Sequence, residues 1–320
     1  MTRVLVTGAT SLLGGAVAQA LAERGDEVTC LQRHSSGLGL TEVLADIRDA
    51  EAVRHAAQGH DAIVHLAALV APNPRWADAV AINVGGTRHV LDAAQDCGRL
   101  LHVSSPSVAF ADHASIGARA EAPTYAGRDA YAATKALAEQ LVLVPSDVAT
   151  VVLRPHLVWG PGDTQLVGRI VDRARQGRLV LPDHGRPLVA TTFLDDAVSA
   201  IIAGLDRTGD DPDAWGRPLV VTGNDPRPLV ELVGGILAAA GVSTTLRSIP
   251  APLAGLAGRL IGRLWTGEEP PLTYFAARQL SVAHWYDLAE TRRLLRWSPE
   301  VTVDVGLDRL ADWYRSLAQD

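Results

Sequence analysis

Cysteine is nearly absent from the chain: two in 320 residues, Cys30 and Cys97, neither with a neighbour at metal-binding or redox spacing. Isolated cysteines of this kind read as small buried hydrophobes in a reducing compartment, and they exclude a disulfide framework. The ten histidines are scattered, with no H-E-x-x-H-like arrangement, so the sequence offers no metal site. Positive charge is not in excess. A net charge of −7 removes the electrostatic reason to expect a nucleic-acid partner. No apolar run approaches the length of a transmembrane helix, and the N-terminus goes directly into a strand-like "TRVLVTG" without a basic, apolar leader. The expectation is a soluble, cytoplasmic protein.

What is present is ordinary globular material, 48% apolar and 20% charged, long enough to bury a substantial core. Short β-branched runs at 3–7, 27–31, 42–45, 61–65, 99–104 and 149–153 alternate with helical patterns near 12–24, 49–58, 75–97 and 129–143. Buried strands alternating with helices imply a parallel sheet covered on both faces, with right-handed crossovers. The fold class is therefore α/β, a Rossmann-type doubly wound parallel sheet with a smaller, mostly helical C-terminal substrate domain. The pattern changes after Pro155. A Pro/Gly loop, "WGPGDTQLVGR", precedes a helix, "PLVATTF" reads as one strand, and "LDDAVSAII" starts another helix. "RPLVVTG" reads as a further sheet strand, and the remainder is mostly helical. The expected division is 1–156 plus about 189–223 for the dinucleotide domain, and about 157–188 plus 224–320 for the cap.

"VLVTGATSLLGGAVAQAL" sets Gly8 and Gly14 around a strand-to-helix turn, with Thr10, Ser11, Leu12 and Leu13 at the start of the helix. Such a turn offers free amides and a positive dipole to a pyrophosphate. Ser11 stands where the middle glycine of the motif is usual, and its hydroxyl is expected to reach a phosphate. The second strand ends in Gln32, Arg33 and His34 with no acid, and the fork of Arg33 suits a ribose 2′-phosphate, which favours NADP(H) over NAD(H). Asp46, followed by Ile47, is placed for the adenine amino group, with Asp49 the better N-cap of the next helix.

The stretch "RDAYAATKALAE" places Tyr131 and Lys135 four residues apart, hence on one helical face. A phenol is a poor acid–base group at neutral pH, and a nearby ammonium is expected to bring its pKa down. "LLHVSSPSVAF" ends a strand at its carboxyl edge with Ser104, Ser105 and Ser107. The tip position belongs to Ser105.

"TGATSLLG", "HLAA" at 65–68, "INVGGT" at 82–87, "VSSPSV" and "YAATK" together resemble the extended short-chain dehydrogenase/reductases over the whole chain. The resemblance implies a catalytic triad of Ser105, Tyr131 and Lys135, with Lys135 also on the nicotinamide ribose. It puts Leu66, Ala67 and Ala68 along the cofactor, Asn83 near the site, and Pro155 with Leu157 and Val158 at the nicotinamide. "RPHLVWGPGDTQLVGR" and "EEPPLTYFAARQLSVAHWYDLAE" are similar to the 3β-hydroxysteroid dehydrogenase-like branch, and within it to bacterial 2-alkyl-3-oxoalkanoate reductases. This implies a hydrophobic β-keto or β-hydroxy acid as substrate, with Ser107, His156, Trp159 and Tyr274 as candidates to meet it. Several arginines and His156 remain open as partner of its carboxylate.

The helical stretch 249–265 spaces Leu253, Leu256, Leu260, Ile261 and Leu264 as an apolar face, read either as packing on its own domain or as a lid or peripheral membrane contact. The expected reaction is NADPH-dependent reduction of a long-chain 2-alkyl-3-oxoalkanoate in olefin or β-lactone biosynthesis. Thiolase-like and β-lactone synthetase enzymes are the neighbours the resemblance implies, and a homodimer is its expected assembly. The alternatives are a 3β-hydroxysteroid dehydrogenase, a sugar-nucleotide epimerase or dehydratase, and a non-catalytic dinucleotide-sensing regulator.

Overall fold

The computed structural model describes residues 1–71, 74–110, 113–120, 129–264 and 274–318. Seven strands form the central sheet: Arg3–Thr7 (β1), Glu27–Gln32 (β2), Thr41–Leu44 (β3), Ala62–His65 (β4), Arg99–Val103 (β5), Ala149–Pro155 (β6) and Pro218–Val221 (β7). Their order is β7-β6-β5-β4-β1-β2-β3, and every neighbouring pair is parallel. After β3 the chain crosses back to the other side of β1. The crevice above β1 and β4 is thus the topological switch point, where α/β sheets bind ligands.

Side chains alternate across the sheet as the pleat requires. On β1, Val4 and Val6 join one core, with Val17 and Leu21 of the helix Leu12–Glu23 (α1) and Ile201 and Leu205 of the helix Leu194–Asp210. Leu5 joins the opposite core, with Val53 of Ala50–Ala57 (α2), Val90 and Ala94 of Thr87–Cys97, and Val142 of Ala130–Val142. Both faces are covered, which is why the strands read as unbroken apolar runs. The expected single helix over 75–97 is composite: Trp76–Ala79 (α3), a π segment Val80–Gly86, then Thr87–Cys97 (α4). Gly86 allows this close approach, since a Cβ there would stand 2.5 Å from Ile47 Cδ1.

Beyond β6 a third core gathers Trp159 and Phe193 with Val167 and Val171 of the helix Val167–Arg175, Leu232 and Ile236 of Leu229–Ala239, and Leu310 of Val303–Leu317. "PLVATTF" departs from expectation. It forms two short strands in different sheets, Leu188–Val189 beside His284–Tyr286 and Thr192–Phe193 beside Val158–Trp159, with Ala190 and Thr191 between them in neither. For the helix Ala251–Leu264, the reading of an apolar face packed on its own domain is not what the structure shows. The helix packs through the small residues Ala254, Gly255 and Gly258, leaving Leu253, Leu256 and Leu260 each more than half exposed. No helix among the described residues is long and apolar enough to cross a membrane.

Candidate active site

The carboxyl ends of β1, β2, β4, β5 and β6 open onto one cavity of about 560 Å³. The segment "RDAYAATK" starts a helix because Asp129 caps it, its carboxylate accepting from the Ala132 amide at 3.0 Å. With this helix (α5, Ala130–Val142) so begun, Tyr131 and Lys135 emerge one turn apart, and both line the cavity. Alanines 132, 133, 136 and 138 are buried, so the helix lies close against its neighbours. Ser105 follows β5 and caps a short 3₁₀ turn, Pro106–Ala109, accepting from the Ser107 amide at 3.2 Å and the Ser107 hydroxyl at 2.9 Å. Ser105 lines the same cavity as Tyr131, and its hydroxyl favours the ionised phenol.

The electrostatics differ from the sequence expectation. Burial pushes the Tyr131 phenol up to about 12, partly offset by the Ser105 hydroxyl and reinforced by Asp129. The Lys135 ammonium donates to Val103 O at 2.7 Å, and burial brings it down to about 8 despite Glu139 one turn on. Desolvation, not the neighbouring ammonium, governs the tyrosine. The phenol is held protonated at neutral pH.

Ser11 is a second correction. Its hydroxyl donates to Gly8 O at 2.9 Å and accepts from the Gly14 amide at 3.1 Å, so it caps α1 rather than reaching outward. The turn still fits a dinucleotide's pyrophosphate. Gly8 has φ +83°, and a Cβ there would stand 2.8 Å from Ala67 N, while one on Gly14 would meet Gly8 O at 2.3 Å. Gly8, Thr10, Ser11, Leu12 and Leu13 line the cavity and present the first helical amides to it. Gly14 itself lies beneath as the close-packing residue.

At the β2 end, exposed Arg33 lines the cavity with Asp46 and Ile47. Asp46 accepts from its own Arg48 side chain at 2.7 Å, and Asp49 caps α2, accepting from Glu51 and Ala52 amides. Glu42, on the adjoining strand, is committed to Gln32 and Ser36. Leu66, Ala67 and Ala68 form the floor after β4. They are held from below, where Thr7 Oγ1 accepts from the Ala67 amide and bonds His65 Nδ1 at 2.8 Å. Asn83 does not line the cavity. It is buried, accepting from the Leu69 amide at 2.7 Å and donating to Thr134 Oγ1, and so ties the floor loop to α5.

Pro155, His156, Leu157 and Val158 line the cavity after β6, as does Ser107. His156 Nε2 and His284 Nδ1 share a hydrogen at 2.7 Å, and burial keeps both rings well below the usual histidine range. Two of the substrate candidates are not brought to the cavity. Trp159 is core, donating to Thr191 Oγ1 at 2.9 Å against the edge of Phe193. Tyr274 stacks under the Arg259 guanidinium, 4.5 Å away. Its neighbours Phe275 and Gln279, one turn apart on the helix Tyr274–Leu280, line the cavity instead. Sequence reasoning missed these two, and also Gln165 and Arg169. Both pairs have i, i+4 spacing, but only the topology shows that their segments fold over the site.

Residues 4–215 match the NAD dependent epimerase/dehydratase family. The chain is 39% identical to a 2-alkyl-3-oxoalkanoate reductase of Stenotrophomonas maltophilia (strain K279a), over 96% of this chain and 98% of that one. It is 32% identical to a 2-alkyl-3-oxoalkanoate reductase of Shewanella oneidensis, over 97% and 86% respectively. Among solved structures it resembles a short-chain dehydrogenase/reductase superfamily protein from Agrobacterium tumefaciens with bound NAD. The TM-score is 0.78 at 24% identity, covering 99% of this chain and 98% of that one, a likeness of fold.

Proposed function

The chain belongs to the NAD dependent epimerase/dehydratase family and is an NAD(P)-dependent oxidoreductase, and we propose that it reduces the 3-keto group of a long-chain 2-alkyl-3-oxoalkanoate with NADPH. The observation that carries the reading is the convergence of Ser105, Tyr131 and Lys135 on one cavity whose other walls include Leu69, Val70, Ile82, Leu166 and Phe275. The 39% identity to a reductase of that name supports the substrate class. A reduced nicotinamide, when bound, supplies a hydride. Tyr131, kept neutral by burial, gives its proton to the carbonyl oxygen, and Ser105 donates a hydrogen bond where negative charge develops. Hydride and proton together convert the ketone to the secondary alcohol. Gly8 and the α1 amides would hold the pyrophosphate, Asp46 the adenine, and Arg33 a 2′-phosphate. In this reading the product, a 2-alkyl-3-hydroxyalkanoate, serves β-lactone or olefin formation, between a condensing enzyme and a β-lactone-forming one.

The test follows cofactor absorbance in the oxidative direction, because β-keto acids decarboxylate. A racemic 2-alkyl-3-hydroxy fatty acid, a 3β-hydroxysteroid and a UDP-sugar are each offered with NADP⁺ and with NAD⁺. Turnover of the fatty acid with NADP⁺ supports the proposal. Turnover of the steroid or sugar alone overturns it.

A further inference from the structure

The β-keto acid reading requires a partner for the carboxylate, and, resting on that reading, we infer that His156, held by His284, donates a hydrogen bond to it. The carboxylate lies only two carbon–carbon bonds from the carbonyl that Ser105 and Tyr131 serve, so its partner has to stand beside Ser105. Sheet register puts His156 there. β5 and β6 pair with Val103 beside Leu153, and the Ser104 amide still donates to Leu153 O at 2.6 Å. Extended two residues, that register sets Ser105 opposite Pro155 across one strand spacing, about 4.8 Å, with His156 next in the chain. Ser105, Pro155 and His156 all line the cavity.

The other polar groups around Ser105 are engaged elsewhere. Ser104 donates to Glu139, Ser107 to Ser105 itself, and Lys135 to Val103 O. Arg154 is 1% exposed, with its Nε and Nη2 both on Glu139. Arg33 follows β2, four strand positions from β6 in the sheet and so about 19 Å away.

Local structure fixes His156 firmly. Its amide donates to Val221 O at 2.9 Å, and its carbonyl accepts from Thr192 Oγ1 at 2.6 Å. The ring packs edge-to-face against His284, at 4.8 Å, and Tyr286, at 5.2 Å, alternate residues of one strand. Nε2 is engaged with His284 Nδ1, which leaves Nδ1 as the ring atom for the cavity. Burial keeps both rings neutral at neutral pH, so the pair holds two ring protons, one in the shared bond and one at either end. The Gln279 carbonyl favours a proton on the His284 ring, yet His284 Nε2 is buried without a hydrogen-bond partner among the described residues. At His156 Nδ1 the end proton meets the carboxylate. Substrate therefore draws it to His156, where it makes a charge-assisted bond.

The test compares the parent, His156→Gln and His156→Asn on the 2-alkyl-3-hydroxy acid and on its uncharged methyl ester, with NADP⁺. Glutamine keeps a polar atom toward His284 but nothing at Nδ1, whereas asparagine keeps an amide at Nδ1. His156→Gln is expected to lower the ratio of acid to ester kcat/KM ~10-fold or more, through KM for the acid, and His156→Asn to hold it within about threefold of the parent. Equal losses on acid and ester, the same fall in both variants, or a rise confined to the NADP⁺ KM overturn the inference while the proposed function stands. A parent that does not turn over the acid overturns both. Ester turnover reports folding, and should His156→Gln fail to fold, His156→Leu, which also lacks the donor, takes its place in the comparison.

Discussion

Arg154 and Glu139 form an ion pair that water does not reach, the two side chains being 1% and 0% exposed. Glu139 lies on the same helix as Tyr131 and Lys135, and Arg154 near the end of β6, while Ser104, beside Ser105, donates to the same carboxylate. The pair therefore joins the two elements that carry the catalytic candidates. Removing one partner leaves a buried charge uncompensated, whereas removing both removes the need for compensation. Glu139→Leu and Arg154→Met are each expected to lose about 3–5 kcal/mol in urea denaturation, and the double variant to recover much of it. Additive losses would show that the pair is not coupled.

Tyr131→Phe keeps the ring and deletes the proton donor. Turnover is expected to fall by roughly 10²–10⁴, with NADPH affinity, read by fluorescence titration, unchanged. Parallel loss of both would place the hydroxyl in cofactor binding instead.

Lys135 has a signature in stability against pH. Its folded pKa, about 8, lies below the ordinary lysine value of 10.5, so folding disfavours the charged form. The penalty is present in full below pH 8 and is relieved as pH rises from 8 toward 10.5, a gap worth about 3 kcal/mol. Lys135→Met is thus expected to be more stable than the parent at pH 7, less its lost bond to Val103 O, and inactive. Its advantage should shrink by pH 9.5, read as the difference between two urea curves at each pH. Comparing variants cancels the contributions of Cys30 and Cys97, whose thiols burial holds up near 11. An advantage constant with pH would contradict the assignment.

Gly8→Ala puts a Cβ against Ala67 N at a positive φ. Both destabilisation, about 1–3 kcal/mol, and weakened NADP⁺ binding are expected, measured by denaturation and titration. Arg33→Ala, by contrast, is exposed and should leave stability within about 0.5 kcal/mol. It should lower NADP⁺ kcat/KM ~10-fold or more with NAD⁺ little changed, and equal effects on the two cofactors would remove Arg33 from the 2′-phosphate.

The sheet was legible because its inner strands are short apolar runs buried on both faces, unlike the edge strand Thr41–Leu44, and the pairing of Tyr131 with Lys135 because helical spacing fixes it. What sequence could not supply was long-range closure. Arg169, Phe275 and Gln279 reach the cavity only because β6 lies beside β5 and the helix Tyr274–Leu280 folds back over the chain beyond Ser105. Nor could it reveal local competition for hydrogen bonds. Ser11 has the right position for a phosphate, yet Gly8 O and the Gly14 amide take its hydroxyl first. Trp159 shares a strand with cavity-lining Val158, and the alternation of that strand turns the tryptophan into the core. The tyrosine pKa was misjudged in sign because spacing reveals a neighbouring ammonium but not the depth of burial.

The central claim, hydride exchange at carbon 3 of a 2-alkyl-3-hydroxy acid, is tested most directly with substrate deuterated at that carbon. The acid is incubated with NADP⁺ and enzyme, and the NADPH formed is analysed by mass spectrometry. The account predicts one deuterium in the cofactor with the parent protein and none with Tyr131→Phe over the same time. NADPH without deuterium, or no NADPH from the parent, would contradict it.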